Sequence, residues 1–262
     1  MQKLTAIIPT KNEAHNIVEA IQSVNFADEI IIVDSFSTDD TLRLAQPRVT
    51  KIIQREYENS ASQKNWAIPQ ATYDWILILD ADERITQALK EEIQQILSSN
   101  PKESCFWIYR NNYFMGKKVR FSGWQGDKVI RLLKKNECRY EHKHVHAEIS
   151  TTGKIGFLKN RIHHNTFMSM QEYLVKIKCY ADWQSKDYYN TTNTLTPYHF
   201  LVKPLARFMK HYFLQLGFLD GLVGLTIATI QAYAVFLRYV KLWKLKRNKQ
   251  PKKITEHNHV NN

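Results

Sequence analysis

The chain has 262 residues, 44% of them hydrophobic, which suits one large domain or a catalytic domain with an appendage. Its three cysteines, at positions 105, 138 and 179, show no CxxC spacing, which excludes a disulfide framework and favours reduced thiols. The formal net charge is +12, and eight basic residues without an acidic one lie between Arg238 and Lys253, a tail that attracts nucleic acid or anionic lipid.

Alternating strands and helices occupy the first part of the chain. Apolar, β-branched runs predict strands at residues 4–9 and 29–34, and helical spacing of apolar residues predicts a helix at 13–24. This alternation is typical of an α/β fold with a parallel sheet. The further elements predicted here are a short strand at 51–54, a helix at 60–71, a buried strand at 75–79 and a helix at 86–97.

The character of the chain changes after Ser98, where extended and aromatic segments predict a mixed sheet. The elements predicted here are strands at 105–114, 128–133 and 139–149 and a helix at 173–189. The pattern predicts a catalytic domain over 1–192, with halves 1–98 and 99–192, then an apolar and basic helical region over 193–250 and a disordered tail over 251–262. The apolar run that Pro9 ends is too short for a signal-peptide core, so we expect the catalytic part to stay in the cytoplasm.

Asp80 and Asp82 are the central candidates for chemistry, because they follow directly on the buried strand predicted at 75–79. Ligands of open α/β sheets bind beyond the carboxyl ends of strands. Two carboxylates this close repel each other, and a bound cation relieves the repulsion. Oxygen ligands suit Mg²⁺ or Mn²⁺, which also bind substrate phosphates. The alternative is a solvated acidic turn.

Two more strand ends deliver polar residues to the same edge of the predicted sheet. Asp34 ends the second strand and is followed by Ser35, Ser37 and Thr38, which suit contacts to a base, a ribose or a phosphate. The first strand ends in the polar run Pro9–Glu13. Helix capping explains each cluster separately, but three polar strand ends at one edge indicate a ligand site.

Several segments together carry a family resemblance. They read IIPTKNE (7–13), VDSFSTDDT (33–41), SQKNWA (62–67), LDADE (79–83), GWQGDKVIRLL (123–133), VHAE (145–148) and GFLDG to YAVFLRYVKLW (217–243). In order and spacing the sequence resembles the family-2 glycosyltransferases of GT-A fold, and within them the branch of bacterial lipopolysaccharide core β-glucosyltransferases. The resemblance covers residues 3–245 and implies a Rossmann-like mixed sheet flanked by helices.

The resemblance implies a role for individual positions on the donor side. Pro9, Thr10 and Glu13 would line the pocket for nucleobase and ribose, and Asp34 would bond the base or ribose. Lys64 would face the nucleotide or sugar. The metal assignments are Asp82 as a direct ligand and Asp80 as a contact to the ribose or, through water, to the metal.

The general base must be a carboxylate on the acceptor side, away from the metal. The resemblance points to Asp127, which follows the Gly123–Gly126 loop, with Glu148 as the alternative. Where the family usually reads VHE or VHxx, this chain has VHAE, which leaves the role of Glu148 open. Arg131, four residues after Asp127, is expected on the same strand face, where it can pair with a phosphate.

Three alternating histidines, at positions 142, 144 and 146, share one face if they lie on a strand. No further cysteine or histidine spacing completes a zinc site. We expect only His146 to be functional, as a third metal ligand or a donor to the diphosphate, and the other two to be solvated or satisfied.

The stretch Gly221–Leu237 is uncharged and mostly apolar, and the basic, aromatic run Arg238–Arg247 follows it. This order favours a helix lying on an anionic membrane surface, peripheral or re-entrant, at the cytoplasmic face of the inner membrane. A membrane-spanning helix and a helix of the protein core are the alternatives.

Three functions follow from these patterns. The first is an inverting glycosyltransferase that uses Mg²⁺ or Mn²⁺ and moves a hexose from a nucleotide-sugar, expected to be a UDP-sugar. Its acceptor would be a lipopolysaccharide-core or other lipid-linked glycan, and nucleic acid is not an expected partner. The second is a haloacid-dehalogenase-like phosphatase, which Arg84 disfavours because that class has Thr or Val at this place. The third is a non-enzymatic basic membrane adaptor, which gives the three polar strand ends no purpose.

Overall fold

The computed structural model describes residues 2–141, 148–167 and 169–249. All three cysteines are free thiols, as predicted. The α/β fold with a mixed sheet flanked by helices is confirmed.

The described residues form two compact units. Of the described residues, unit 1 takes those up to Lys118 and those in Gly126–Thr166, and unit 2 takes Val119–Gln125 and those from Phe167 onward. The domain boundary at residue 192 stays a prediction, and the tail 251–262 lies outside the described residues.

A mixed sheet, to which ten of the described strands belong, forms the centre of unit 1, with the path β3-β2-β1-β4-β8-β6-β12-β5. Its first four strands are parallel, and β8 pairs antiparallel with both β4 and β6. The strands of the described residues are β1 Leu4–Thr10, β2 Glu29–Asp34, β3 Lys51–Gln54, β4 Trp75–Ile78, β5 Glu83–Arg84, β6 Glu103–Phe114, β7 Lys117–Lys118, β8 Lys128–Lys134, β9 Cys138–Tyr140, β10 Ile149–Thr151, β11 Lys154–Phe157 and β12 Ile162–Phe167.

Both faces of the parallel strands are buried, because helices cover each face. Alternate residues of a strand point to opposite faces. Ile8, Ile32 and Leu77 belong to one apolar core, which α1 and α4 complete, and Ile7 and Ile31 belong to the other, which α3 completes. The helices of unit 1 are α1 Ile17–Ser23, α2 Thr41–Ala45, α3 Ser60–Ala67 and α4 Gln87–Ser98.

One predicted element is wrong. The sequence pattern predicts a continuous strand over 139–149, whereas β9 ends at Tyr140 and β10 begins at Ile149. The two strands pair antiparallel, with Tyr140 opposite Ile149, so the chain reverses between them. Alternating polarity alone does not reveal such a reversal. Residues 142–147, including the three histidines, lie outside the described residues.

Unit 2 is helical in its described part. A long helix, α5, packs along a longer one, α8, and α7 packs on α8 as well. Residues 217–248 form a helical stretch long and apolar enough to cross a membrane, although a core helix of a soluble protein meets the same criteria. The helices are α5 Met170–Thr191, α6 Pro197–Phe200, α7 Val202–Met209 and α8 Gly221–Lys249, with a π-helical turn at Lys210–Leu214 and a 3₁₀ turn at Gly217–Asp220.

Candidate functional site

The carboxyl ends of β1, β2 and β4 meet at one edge of the sheet. Thr10 lies opposite Asp34 in the register of β1 and β2, and Ile7 lies opposite Ile78 in that of β1 and β4. Because β2 lies on one side of β1 and β4 on the other, this edge is a topological switch point, where α/β sheets bind ligands.

Asp34 is fully buried and holds the loop that follows β2. Its Oδ2 accepts hydrogen bonds from the backbone nitrogen of Ser37 and from Nε2 of Gln54, each at 3.0 Å. Its Oδ1 accepts from Oγ of Ser37 at 2.5 Å. The loop turns through Phe36, which has a φ of 58° and is half exposed. Asp34 therefore shapes this end of the site through the three hydrogen bonds that its carboxylate accepts.

Polar side chains from β1 and α3 lie beside this loop. Oγ of Ser35 accepts a hydrogen bond from Nε2 of Gln63 at 3.1 Å, and the backbone nitrogen of Ser35 donates to the carbonyl of Thr10. Oε1 of Gln63 and Oγ1 of Thr10 are buried without a partner among the described residues. Buried polar atoms normally have partners, so these two suit a polar ligand.

Two other residues of the predicted donor pocket have structural contacts. Pro9 lies opposite Val33 in the register of β1 and β2. The Glu13 carboxylate accepts from Nδ2 of Asn16 at 2.8 Å, and its carbonyl accepts from Ile17 at the start of α1. Glu13 therefore helps to begin α1 at the edge where the ligand would lie.

Asp80 lies in a dense ionic cluster. Its Oδ1 is 3.0 Å from Nζ of Lys64, and its Oδ2 accepts a hydrogen bond from Nη2 of Arg131. The same Nη2 of Arg131 donates to Oε1 of Glu83 at 2.9 Å, and Nη2 of Arg110 lies 2.6 Å from that oxygen. The protein itself therefore compensates the charge of Asp80, which the sequence argument assigned to a bound cation.

These charges fix the protonation states in the cluster. Burial raises the pKa of Asp80, but Arg131, Lys64 and Arg110 outweigh it and hold that pKa well below its usual range. Burial likewise raises the pKa of Glu83, whereas Arg131 and Arg110 lower it to about 2. Burial lowers the pKa of Arg131, yet Asp80 and Glu83 hold it well above its usual value. The carboxylates stay ionised and the guanidinium stays charged at neutral pH.

Asp82 has a different environment. Among the described residues its carboxylate has one side-chain contact, from Nε2 of His164 to its Oδ2 at 3.4 Å. The pairing of β5 with β12 positions this histidine, because His164 lies opposite Glu83. About a quarter of the Asp82 side chain is exposed, so a ligand can reach it.

A chain of polar contacts connects Asp82 to Asp127, with hydrogen bonds from His164 through Asn112 to Asp127. Asn112 donates from Nδ2 to Oδ2 of Asp127 at 2.9 Å, so its Oδ1 is the acceptor for Nδ1 of His164, 2.6 Å away. This arrangement puts the ring proton of a neutral His164 on Nδ1 and leaves the lone pair of Nε2 beside Asp82. Nη1 of Arg110 lies 3.5 Å from Oδ1 of Asp127, so both oxygens of that carboxylate are held.

The donor atoms fit a divalent cation at Asp82. Oδ2 of Asp82 and Nε2 of His164 lie 3.4 Å apart, close enough to bind one cation. Mg²⁺ or Mn²⁺ commonly takes few protein ligands and completes its shell with phosphate and water. The described residues contain no group of three or more histidine, cysteine or acidic side chains placed to hold a metal. His146, the predicted third ligand, lies outside the described residues.

The remaining predicted residues have these positions. Glu148 is exposed, and its carbonyl accepts from the backbone nitrogen of Glu141 next to the β9–β10 pair. No contact among the described residues joins the Glu148 side chain to the cluster around Asp82 and Asp127. Arg131 is buried, and its Nη2 pairs with Asp80 and Glu83.

Sequence reasoning missed Arg110, Asn112 and His164. Arg110 and Asn112 alternate on β6, so they share a face with a period of two, the one signal that could have selected them. His164 belongs to a polar run on β12, and nothing in the sequence near it indicates the pairing with β5.

Residues 5–156 match the family model described as Glycosyl transferase family 2. An uncharacterized glycosyltransferase of Rickettsia felis is 31% identical over 92% of this chain and 90% of its own length. The lipopolysaccharide core biosynthesis glycosyltransferase LpsC of Rhizobium meliloti is 25% identical over 90% of this chain and 93% of its own.

Among solved structures, glucosyl-3-phosphoglycerate synthase from Mycobacterium tuberculosis in complex with Mn²⁺, uridine diphosphate and glucosyl-3-phosphoglycerate is similar to part of this chain. The match has a TM-score of 0.36 and 19% identity, and it covers 43% of this chain and 44% of that one.

Proposed function

The chain belongs to glycosyl transferase family 2, and from that premise we propose that it is an inverting transferase that moves a hexose from a UDP-sugar to a lipopolysaccharide-core or other lipid-linked glycan. The observation that carries the proposal is the chain of polar contacts from Asp82 to Asp127: two hydrogen bonds join His164, Asn112 and Asp127, and Nε2 of His164 lies 3.4 Å from Oδ2 of Asp82. It holds a candidate metal ligand and a candidate base in one connected group. Family membership contradicts the phosphatase alternative and disfavours a non-enzymatic adaptor.

The donor nucleotide would lie along the edge formed by β1 and β2. Thr10, Asp34 and Ser35 would contact base and ribose beside Pro9 and Glu13, as the resemblance implies. Oγ1 of Thr10 and Oε1 of Gln63 have no hydrogen-bond partner among the described residues, which supports a polar ligand here. Lys64, fixed against Asp80 at 3.0 Å, would place its positive charge near the diphosphate.

A divalent cation, Mg²⁺ or Mn²⁺, would be held by Asp82 and by Nε2 of His164, and would neutralise charge on the departing diphosphate. We keep His146 as a proposed third ligand. Asp80 would contact the ribose or a water of the metal, because Lys64 and Arg131 already engage its two oxygens. Arg131 would then act by fixing Asp80, since its Nη2 is committed to two carboxylates.

Asp127 would be the general base, with Glu148 as the alternative. Its carboxylate takes the proton of the acceptor hydroxyl while that oxygen attacks the anomeric carbon and the bond to the nucleotide diphosphate breaks. A single displacement of this kind inverts the anomeric centre. Asn112 and Arg110 hold both oxygens of Asp127, and about a third of its side chain is exposed to an incoming acceptor.

Similarity to LpsC supports the proposed acceptor, and the helices of unit 2 support the proposed location. The printed function of LpsC, lipopolysaccharide core biosynthesis, supports a glycan acceptor carried by a lipid. The apolar helical stretch 217–248 supports work at a membrane, for which we propose the cytoplasmic face of the inner membrane. We expect an anionic membrane surface and no nucleic acid as partner.

A thermal-shift screen tests the proposal. Nucleotide-sugars with different bases are added to the full chain with and without Mn²⁺, and we expect a UDP-sugar to raise the melting temperature most when Mn²⁺ is present. Slow hydrolysis of that sugar should follow and should be lost in Asp82→Asn. If no nucleotide-sugar stabilises the protein with metal, the proposed function fails.

A further inference from the structure

The exposed face of α7 is apolar. Leu201, Val202, Leu205 and Met209 recur at helical spacing and are all exposed, Leu201 at 68% and Leu205 at 61%. The charged residues of the same helix, Lys203 and Arg207, are half-buried. A helix on the surface of a water-soluble protein shows the reverse, with its polar side outward.

The exposed apolar side chains continue beyond α7. The π-helical and 3₁₀ turns and the first turn of α8 pack together, and most apolar side chains along them are exposed. Leu214 is 81% exposed and Leu222 is 79% exposed. With those of α7 they form what we call the apolar turn surface: Leu201, Val202, Leu205, Met209, Phe213, Leu214, Phe218, Leu219 and Leu222. An apolar surface of this extent marks an interaction site.

The charge around this surface favours an anionic partner. Between residues 188 and 249 the sequence has one acidic residue, Asp220. Its carboxylate is occupied by the backbone nitrogens of Arg120 and Phe121 and by Oγ of Ser122, at 2.9 to 3.0 Å. The basic residues of the stretch are Lys203, Arg207, Lys210, Arg238, Lys241, Lys244, Lys246, Arg247 and Lys249. Apolar and basic groups together, with no free acid, match the interface of an anionic bilayer.

Segments of this chain outside the described residues do not suit this surface. The tail 250–262 reads QPKKITEHNHVNN, with Ile254 and Val260 as its aliphatic residues, and 142–147 reads HKHVHA. Both are too polar to bury an apolar surface of this size.

The contacts between α8 and α5 argue against a membrane-spanning α8. From Gln231 onward α8 is bound to α5: Gln231 donates to Tyr173, Arg238 to Gln184, and Lys241 pairs with Asp182. A spanning α8 would carry the exposed charges of α5 into the lipid, namely Lys176, Lys178, Asp182, Lys186 and Asp187. The part of α8 before these contacts, 221–230, is about 15 Å long at about 1.5 Å per residue, half of the roughly 30 Å hydrocarbon thickness.

We propose that the apolar turn surface inserts into one leaflet of an anionic bilayer, with α7 lying in the membrane plane and α8 not crossing. The inference deepens the proposed membrane association and is independent of the proposed chemistry. It names the side chains that enter the lipid and assigns the exposed basic residues of the stretch, Lys210, Lys244 and Arg247, to the headgroups.

Vesicle cosedimentation of the purified full chain tests the proposal. Vesicles of phosphatidylglycerol mixed with phosphatidylethanolamine should bind the protein, and phosphatidylcholine vesicles should bind it more weakly. The double variant Leu214→Asp/Leu222→Asp should lower partitioning at least about tenfold, since each change replaces an apolar side chain proposed to enter the lipid with a charge that stays in water. The control is Val175→Asp, an apolar residue on α5 that is 54% exposed, and this variant should bind like the wild type.

Other outcomes overturn the proposal. If the double variant, expressed in cells, stays in the membrane pellet after carbonate extraction, α8 spans the bilayer. If the wild type is a dimer by light scattering, the double variant a monomer, and neither binds vesicles, the surface is a contact between two copies. Equal melting temperatures of variant and wild type exclude misfolding as the cause of lost binding. If the wild type binds vesicles but no UDP-sugar, only the proposed chemistry is contradicted.

Discussion

The side-chain nitrogen of Asn112 donates to Oδ2 of Asp127 at 2.9 Å, and the other end of the same amide accepts from His164. Asn112 is buried, so it positions both partners without reaching solvent itself. Outer groups that orient a ligand or a base typically change metal affinity or activity by about 10- to 100-fold when removed. We therefore expect Asn112→Ala to lower the transfer rate by about that factor.

Two measurements test this role of Asn112. The transfer rate and the Mn²⁺ affinity are compared with those of Asn136→Ala, an exposed asparagine in the turn before β9. A variant that keeps the wild-type rate while only its melting temperature falls would show that Asn112 stabilises the fold and nothing more.

Removing either candidate metal ligand should weaken cation binding. Asp82→Asn and His164→Ala should each lower Mn²⁺ affinity at least about tenfold in the presence of UDP, because each removes one of few protein ligands. Titration followed by the electron paramagnetic resonance of free Mn²⁺ measures this without turnover. The control is His163→Ala, whose ring stacks on Tyr113 at 4.0 Å. Unchanged affinity in Asp82→Asn would place the cation elsewhere.

The sequence predicted the donor side of the site better than its acceptor side. Asp34 and Asp80 each follow an uninterrupted apolar run, and parallel strands bring such ends to one edge whatever the exact pairing. His164 reaches Asp82 only because β12 pairs with β5, about 80 residues earlier in the chain, a pairing that no local pattern encodes.

The charge balance of Asp80 was also hidden from the sequence. The spacing of Asp80 and Asp82 in the sequence puts two carboxylates close together and predicted a cation between them. In the fold, Lys64 from α3 and Arg131 from β8 compensate Asp80, so among the described residues Asp82 is the carboxylate of the two without a lysine or arginine partner. Long-range ion pairs of this kind depend on tertiary packing, which residue spacing does not report.

The environment of Glu29, which lies away from the candidate site, predicts that the stability of the fold depends on pH. It is buried and accepts hydrogen bonds from Oγ1 of Thr5 at 2.6 Å and from the nitrogen and Oγ1 of Thr72 at 2.8 and 2.7 Å. Burial raises the pKa of Glu29, but these hydrogen bonds and Lys51 outweigh it, so the pKa lies below its usual value of 4.5. A lowered folded-state pKa stabilises the fold above pH 4.5, and this contribution is lost as the pH falls through the folded value.

Glu29→Gln should therefore lower the free energy of unfolding by about 1–3 kcal/mol at pH 7, since it weakens hydrogen bonds to a buried charged group. The difference from the wild type should shrink as the pH falls below 4.5. Urea unfolding at pH 7 and at pH 4 measures both effects. Glu91→Gln, on the exposed side of α4, is the control and should change neither value. A difference that grows towards acid would contradict the sign of the pKa shift.

Asp220 should hold segment 119–125 in unit 2. Its carboxylate accepts from the backbone nitrogens of Arg120 and Phe121 and from Oγ of Ser122, and Nδ1 of His211 donates to the carbonyl of Ser122 at 2.9 Å. In Asp220→Ala, three donors lose their acceptor, and each unmet group costs about 1–3 kcal/mol where it is buried. Because about 1.4 kcal/mol is a tenfold change, amide exchange at Arg120 and Phe121 should speed up about 10- to 100-fold.

Hydrogen exchange followed by mass spectrometry reads this segment directly, with Asp187→Ala, an exposed acid on α5, as the control. If exchange in Asp220→Ala is faster only in 119–125, Asp220 stabilises this segment locally. If exchange is faster throughout α8, the carboxylate supports the whole helical unit. Since Asp220 directly precedes α8, whose first turn carries Leu222, a local result would also tie segment 119–125 to the surface proposed to enter the bilayer. Unchanged exchange at Arg120 and Phe121 would mean that their amides find other acceptors.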